Sequence, residues 1–177
     1  MRKKTLTSLY DFASVLLSAI LAVGLIFTFL FKISAVDGDS MNNTLQHGDK
    51  LILTARDWDV EYGDIVVISQ PNVLEKVLIK RVIATEGQTI TVDAVNGRVI
   101  IDGKAIYEPY IAERMMVQGN MQYPLTVPEG CVFVMGDNRN HSTDSRDKMV
   151  GIIDTRYIVG EAIYRIGDTH LLSDSLE

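Results

Sequence analysis

The sequence predicts a mainly β domain of antiparallel strands that follows a single N-terminal transmembrane helix. Three observations predict it: a long uncharged apolar run near the N-terminus, several short β-branched runs, and turn signals between those runs. With 177 residues and 47% hydrophobic content, the chain can form one domain with a buried core plus an accessory segment. The expected organisation is a short basic cytoplasmic segment over 1–11, an anchor over 12–32 and one domain over 33–177.

The predicted anchor is an apolar run from Phe12 to Phe31 that contains no charged residue. As an α-helix it would span about 30 Å, which matches the hydrocarbon core of a bilayer. A buried core helix is one alternative, and a cleavable signal peptide is another. The run is longer than the roughly 7–15 apolar residues of a signal peptide, and Ile33 disfavours cleavage after Ile33-Ser34-Ala35.

The charges on either side of the apolar run predict its orientation. Basic residues at positions 2–4 precede the run, whereas Asp37 and Asp39 follow it closely. The positive-inside rule therefore places the N-terminus in the cytoplasm and the following domain on the extracytoplasmic side. The expected location is the cell membrane, with a single pass through the lipid bilayer.

Short runs rich in β-branched residues predict six strands after the anchor. They are Lys50 to Thr54, Ile65 to Ser69, Val77 to Thr85, Thr89 to Val95, Arg98 to Ile101, and Cys131 to Met135. Asn96-Gly97 and Asp102-Gly103 favour two-residue hairpin turns, so an antiparallel meander is expected around them. The Pro- and Gly-containing stretch from Tyr107 to Gly130 indicates a connecting segment and not a second domain.

Composition and charge disfavour several classes of function. The net charge of -6 and the absence of a long basic run argue against nucleic acid as a partner. Cys131 is the single cysteine, which excludes an intrachain disulfide. His47, His141 and His170 are scattered without the spacing of metal ligands, so neither a metal nor another cofactor is expected.

A candidate nucleophile, Ser40, lies shortly after the anchor in the segment Val36-Asp37-Gly38-Asp39-Ser40-Met41. Turn-forming residues can present such a serine on an exposed bend. Most serines flanked by Gly and Asp are nevertheless ordinary loop residues. A nucleophilic role therefore requires a base elsewhere in the chain.

Two consecutive cations, Lys80 and Arg81, interrupt the apolar run Val77 to Thr85. Strand side chains alternate, so the two cations point to opposite faces, and periodicity does not choose between them. Arginine stays protonated in proteins, whereas a lysine in apolar surroundings can fall several units below its usual pKa of about 10.4. Lys80 is therefore the candidate base, and an edge-strand lysine with its ammonium in water is the alternative.

A dense polar segment, Gly136 to Arg146, follows the last predicted strand, and such loops often form functional sites. Asp144 and Arg146 lie two residues apart, so in an extended stretch they can share a face and form an ion pair. His141, Ser142 and Asp144 offer the residue types of a catalytic triad. Triad members usually come from distant segments, which disfavours that interpretation and leaves a solvated turn as the other alternative.

These segments resemble, in order and over nearly the whole chain, the sequence boxes of the bacterial type I signal peptidases. The anchor is similar to the first box, and Gly38-Asp39-Ser40-Met41 with Thr44-Leu45 is similar to the second. The remaining boxes resemble Gly63-Asp64-Ile65-Val66, Lys80-Arg81-Val82-Ile83, and Gly136-Asp137-Asn138-Arg139 with Ser142, Asp144, Ser145 and Arg146. The single anchor is more similar to Gram-positive members than to two-anchor ones.

The resemblance implies a β protease domain of signal-peptidase type, with Ser40 as nucleophile and Lys80 as general base. It also implies that Ser142 hydrogen-bonds to the lysine and orients it, while Asp144 and Arg146 brace the site. No histidine is required for this chemistry.

The chain departs from the family pattern at three positions. Proline is usual where Asn43 stands, and glycine is common where Ala84 stands. Gly38 occupies the position at which some members have a serine that donates to the oxyanion. The backbone N–H of Ser40 would therefore carry more of that role.

By the same resemblance, the substrates are secreted preproteins, cleaved through an acyl-enzyme after small residues in an Ala-x-Ala pattern. One alternative is a Ser-Lys self-cleaving regulator, but such proteins are soluble and carry a DNA-binding module. The other is a catalytically inactive, membrane-tethered β-domain that binds proteins, for which loss of Ser40 or Lys80 would change nothing.

Overall fold

The computed structural model describes residues 2–54, 59–69, 76–167 and 172, and it begins with one long helix, α1 (Arg2–Leu30). Within α1, Tyr10–Leu30 is long and apolar enough to cross a membrane, with a mean hydropathy of 2.5. The helix begins before residue 12, where the anchor was predicted to start. It ends at Leu30, and residues 31 and 32 already belong to the first strand.

Eleven strands follow α1 in the described part of the chain. They are β1 (Phe31–Ala35), β2 (Lys50–Thr54), β3 (Ile65–Ile68), β4 (Leu78–Ala84), β5 (Thr89–Asp93), β6 (Arg98–Ile101), β7 (Lys104–Ala105), β8 (Leu125–Thr126), β9 (Cys131–Met135), β10 (Ile153–Asp154) and β11 (Ile158–Arg165). A 3-10 turn, Thr155–Tyr157, precedes β11. All six predicted strands are confirmed to within two residues at each end.

The strands form two sheets in which every pairing is antiparallel, which confirms the predicted mainly β class. Seven strands lie in the order β1-β2-β11-β3-β4-β9-β10, and four in the order β7-β6-β5-β8. β4 lies between β3 and β9, but its pairing with β9 begins only at Arg81. Leu78 to Lys80 therefore have one backbone edge without a strand partner among the described residues.

The two predicted hairpin turns have different outcomes. Ile101 pairs with Lys104, and both Asp102 (φ 49°) and Gly103 (φ 79°) have positive φ, so the two-residue turn there is confirmed. At Asn96-Gly97 the prediction is wrong, because Asp93 pairs with Arg98 and leaves a four-residue loop. The Asp93 carboxylate accepts hydrogen bonds from the Asn96 backbone and side chain, which stabilises the wider loop.

The strand β11 was not predicted, although it lies in the middle of the larger sheet between β2 and β3. Gly160 interrupts the apolar pattern of β11, and a glycine inside such a run weakens the prediction of a strand from sequence. A Cβ at Gly160 would clash with the carbonyl oxygen of Thr54 on β2. The glycine is therefore required by the close approach of the two backbones.

Buried apolar side chains form the core that supports β4 and the segment of Ser40. One cluster contains Ile83 from β4, Val92 from β5 and Phe133 from β9, and so joins the two sheets. Another contains Met41 and Leu45 together with side chains of β2 and β3. The segment that carries Ser40 is thus fixed to the sheet by two fully buried apolar side chains.

Candidate active site

Ser40 and Lys80 come together beside the first residues of β4, which have no strand partner on one side among the described residues. Ser40 lies in the connection between β1 and β2, and Lys80 lies on β4. Lys80 Nζ is 2.8 Å from Ser40 Oγ and donates a second hydrogen bond of 2.9 Å to the carbonyl oxygen of Ile79. Lys80 is only 3% exposed, so the alternative of an edge-strand lysine with its ammonium in water is wrong.

Burial of the Lys80 amine changes its acidity. Desolvation lowers the pKa of Lys80 from 10.5 to about 8, against the opposing charges of Asp144 and Asp137, which raise it. A substantial fraction of the amine is therefore neutral near pH 8. A neutral amine within hydrogen-bond distance of a serine hydroxyl can accept its proton.

Arg81 lies on the opposite face of β4 from Lys80, and its buried contacts give it a structural role. Its guanidinium forms a buried two-point ion pair with Asp137, with distances of 2.9 and 2.7 Å, and donates to the carbonyl oxygen of Gly63 at 2.8 Å. Asp137 also accepts a hydrogen bond of 2.5 Å from Thr44, four residues after Ser40. This ion pair connects the strand of Lys80, the segment of Ser40 and the 136–146 loop.

Most charged side chains of the 136–146 loop are buried, so the alternative of a solvated turn is wrong. Asp144 and Arg146 form a buried ion pair in which Arg146 Nη2 lies 2.8 Å from Asp144 Oδ2, and Asp144 also accepts from the backbone N–H of Gly136 at 3.0 Å. Burial raises the pKa of Asp144, but the hydrogen bonds and charge of Arg146 and the Gly136 amide outweigh it and lower the pKa. The ionised carboxylate of Asp144 therefore holds Arg146 and the backbone at Gly136 together.

Ser142 lies in this loop, but it makes no hydrogen bond to Lys80, whereas the resemblance implies one. Its buried Oγ makes no hydrogen bond within normal geometric limits in the described part of the chain, although it lies near enough to Asp144 to help lower the pKa of that carboxyl. A Cβ at Gly136 would clash with both Ser142 Oγ and the carbonyl oxygen of Ser40. Gly136 thus allows Ser142 Oγ and the carbonyl oxygen of Ser40 to lie in the space that a side chain at position 136 would take.

The alternative triad of His141, Ser142 and Asp144 does not form. His141 is exposed at the rim of the site, and its side chain makes no hydrogen bond to the other two residues. The three residues share a loop without the relay of contacts that a triad requires.

Ser40 and Lys80 both line an open groove of about 710 Å³. The other lining residues belong to 34–41 and 76–80, together with His141 and Thr143. The backbone N–H of Gly38 donates to His47 Nδ1 at 3.1 Å. The backbone N–H of Ser40 donates to no acceptor among the described residues, which leaves it free for an oxyanion.

Sequence reasoning missed several residues that build this site. Asp137, Arg139 and Thr44 lie within the quoted motifs but received no separate role. Glu108 and Tyr110 lie in the connecting segment, where no pattern marks a site residue. Their contacts depend on long-range packing, which a single sequence does not display.

Comparison with known proteins finds sequence relatives over most of the chain. The Peptidase S26 family model, described as signal peptidase, peptidase S26, matches residues 9–166. A probable signal peptidase I-1 from Synechocystis is 39% identical over 140 residues, which cover 73% of this chain and 68% of the relative. Signal peptidase I from Bacillus licheniformis is 35% identical over 166 residues, which cover 86% of both chains.

A crystal structure of a signal peptidase I from Enterococcus faecalis V583 aligns with 60% of this chain and 98% of that chain, at a TM-score of 0.48 and 26% identity. The matches to sequence relatives define the class of this chain as a serine-type peptidase. Within that class, the chain belongs to the S26 signal peptidase family, and this membership indicates removal of signal peptides.

Proposed function

We propose that this chain is a membrane-bound serine endopeptidase that removes N-terminal signal peptides from secreted preproteins after small residues. Ser40 is the nucleophile, and Lys80 is the general base. The observation that carries the proposal is the 2.8 Å contact between Ser40 Oγ and the desolvated amine of Lys80 at an open groove. Membership of the S26 family supports the same conclusion.

The reaction proceeds through an acyl-enzyme. Neutral Lys80 takes the proton of Ser40 Oγ as the oxygen attacks the scissile carbonyl carbon. When the peptide C–N bond breaks, the Lys80 ammonium returns this proton to the leaving amine. The neutral amine of Lys80 then removes a proton from water, and the water oxygen attacks the ester carbonyl carbon. When the ester C–O bond breaks, the Lys80 ammonium returns that proton to Ser40 Oγ, and the signal peptide leaves with a new carboxyl group.

The negative charge that develops on the carbonyl oxygen requires donors close to Ser40. The backbone N–H of Ser40 is one such donor, since no described residue accepts from it. Gly38 has no hydroxyl, and the groove face around it is exposed. Stabilisation of the oxyanion is therefore assigned to the main chain.

Three further residues support this pair. Asp144 and Arg146 brace the loop by their buried ion pair, with distances of 2.8 Å. Ser142 Oγ, which lies buried without a normal hydrogen bond, is available to orient the Lys80 amine once substrate fills the groove. None of the three is required to transfer a proton.

The groove supports binding of an extended peptide. Leu78 to Lys80 pair with β3 along one edge and leave the other edge to the groove, opposite Ser34 to Val36. A substrate strand can add to these edges by backbone hydrogen bonds, with alternate side chains entering the walls. In this mode alternate side chains of the substrate face the same way, and the family resemblance implies that two of them are small, as in an Ala-x-Ala pattern.

The membrane placement is part of this proposal. The apolar stretch Tyr10–Leu30 of α1 takes the place of the anchor predicted over 12–32, with the N-terminal end of the chain in the cytoplasm and the β domain on the extracytoplasmic side. This placement is supported by the apolar stretch Tyr10–Leu30 and by the basic residues at its N-terminal side. The nucleophile then lies near the outer face of the bilayer, where preproteins emerge.

The primary test uses the purified protein, Ser40→Ala and Lys80→Ala with a preprotein that has an Ala-x-Ala site. We expect the parent alone to release the mature chain, because each variant lacks one half of the pair. Cleavage by all three would reject the catalytic assignment. Binding of the preprotein without cleavage by any of them would instead favour the inactive, protein-binding β-domain.

The pH dependence of kcat/KM gives a separate prediction. Activity requires neutral Lys80. At pH values below the Lys80 pKa of about 8, kcat/KM should therefore rise tenfold per pH unit, and above that pKa it should level off. The measurement is initial cleavage rate at subsaturating preprotein between pH 5 and 10, in a range where the melting temperature shows the protein to be folded. A flat profile across this range would exclude Lys80 as the base.

A further inference from the structure

The connecting segment between β7 and β8 contacts the 136–146 loop through Glu108. Glu108 forms a two-point ion pair with Arg139, with distances of 2.8 and 2.5 Å. The side chains of Arg139 and Glu108 are only 0% and 5% exposed. A buried carboxylate that faces a buried guanidinium fixes the position of both, because either charge alone would be strongly unfavourable there.

Arg139 uses its remaining groups to close the turn at Gly136. Its Nε–H donates to the carbonyl oxygen of Gly136 at 3.0 Å, and its backbone carbonyl accepts from Arg146 Nη2 at 2.7 Å. The guanidinium thus bridges Glu108 and the backbone of the 136–139 turn. The geometry of this turn depends on where Glu108 holds Arg139.

The same turn holds the backbone of the nucleophile. The backbone N–H of Asn138 donates to the carbonyl oxygen of Ser40 at 3.0 Å, and Asn138 Nδ2 donates to the carbonyl oxygen of Asp39 at 3.1 Å. Gly136 packs so closely against Ser40 that a Cβ would clash with the Ser40 carbonyl. A displacement of the turn is therefore transmitted directly to Ser40.

Tyr110 connects this arrangement to the strand of the base. Its hydroxyl donates to Glu108 Oε1 at 2.9 Å, and the centroid of its ring lies 4.0 Å from Cζ of Arg81. Arg81 follows Lys80 on β4 and is fully buried. The segment from Glu108 to Tyr110 thus contacts the elements that carry both reacting groups.

We propose that Glu108 is a positioning residue for Ser40 and acts through Arg139 and the 136–139 turn. The proposal rests on the proposed role of Ser40 as nucleophile. It makes the connecting segment part of the active-site architecture, although Glu108 does not line the groove. Its loss should lower kcat, while KM changes little because the groove walls at 34–36 and 76–80 are unaltered.

The experiment separates positioning from stability with two variants. Glu108→Gln leaves the Arg139 charge buried without its partner, so both the melting temperature and kcat should fall. The double variant Glu108→Leu/Arg139→Met replaces the ion pair by apolar side chains of similar length, which often restores stability. We expect its melting temperature to return toward that of the parent. Its kcat should stay at least about tenfold lower, because the hydrogen bond from Arg139 Nε to the carbonyl oxygen of Gly136 is missing.

Asp154→Asn is the matched control, since it also removes a carboxylate from an arginine pair, but its partner Arg156 is 84% exposed and the pair does not line the groove. Its kcat and KM should equal those of the parent. A double variant that recovers kcat together with melting temperature would show that Glu108 is only structural, and would overturn the proposal.

Hydrogen exchange of the backbone over residues 38–45 provides a readout that does not need activity. We expect faster exchange there in the double variant than in the parent or in Asp154→Asn. Unchanged exchange in this segment would overturn the positioning role. Failure of the parent to cleave any preprotein, together with faster exchange in the double variant, would reject the proposed function and leave the structural coupling established.

Discussion

Lys80→Met is expected to abolish cleavage of a preprotein without unfolding the protein. Methionine keeps the length and the apolar stem of lysine but has no group that can take the Ser40 proton. Lys80→Arg should be equally inactive, because a guanidinium remains protonated throughout the usable pH range. Both variants are measured by single-turnover cleavage with enzyme in excess over a preprotein.

The folded state of Lys80→Met should be more stable than that of the parent at pH 7. The pKa of Lys80 is about 8 when folded and 10.5 when free, so the unfolded chain binds more protons between these values and parent stability rises with pH across this window. Below pH 8, the charged amine of Lys80 lowers the unfolding free energy of the parent by on the order of 3 kcal/mol, at about 1.4 kcal/mol per unit of pKa difference. The advantage of the variant should therefore shrink as pH rises from 8 to 10.5.

Lys104→Met is the control for this substitution. Lys104 lies exposed on β7 of the smaller sheet, outside the groove, so both activity and stability should match the parent. Residual single-turnover cleavage by Lys80→Met, at a rate within tenfold of the parent, would contradict the assignment of Lys80 as base. Loss of cleavage with a stable fold would show that the missing amine, and not misfolding, is responsible.

The local parts of this structure are those that the sequence predicted well. Six strands follow from β-branched runs, and the Asp102-Gly103 turn follows from the positive φ that both residues tolerate. The pair Ser40 and Lys80 was predicted from chemistry and from the order of motifs, since strand periodicity did not distinguish Lys80 from Arg81. The structure shows that Arg81 has its own partner, Asp137, on the opposite face.

The features that the sequence did not predict depend on partners distant in the chain. Gly160 weakens the pattern of β11, yet the backbone of Thr54 leaves no room for a side chain there. Glu108 gains its role only by meeting Arg139, 31 residues later. In both cases the constraint lies in tertiary contact, whereas the local pattern indicates a weak strand or an ordinary loop.

Asp144→Asn is expected to cost about 3–5 kcal/mol of unfolding free energy, because it breaks a buried ion pair and leaves one charge unpaired. The side chains of Arg146 and Asp144 are 3% and 0% exposed, so water cannot replace the lost carboxylate. The measurement is urea denaturation at pH 7. Asp154→Asn is the control, and its midpoint should barely move because its partner Arg156 is largely exposed to water. An unchanged midpoint for Asp144→Asn would show that the buried pair does not brace the loop.

The same variant should shift the pH profile of any remaining activity. The charge of Asp144 raises the pKa of Lys80, whereas that of Arg146 lowers it. Asp144→Asn removes the first influence and leaves the second, so the pKa of Lys80 should fall and the acid limb of kcat/KM should move to lower pH. Because a merely destabilised enzyme would lose activity at every pH without moving this limb, the shift would show that Asp144 acts on the electrostatics of the base as well as on the loop.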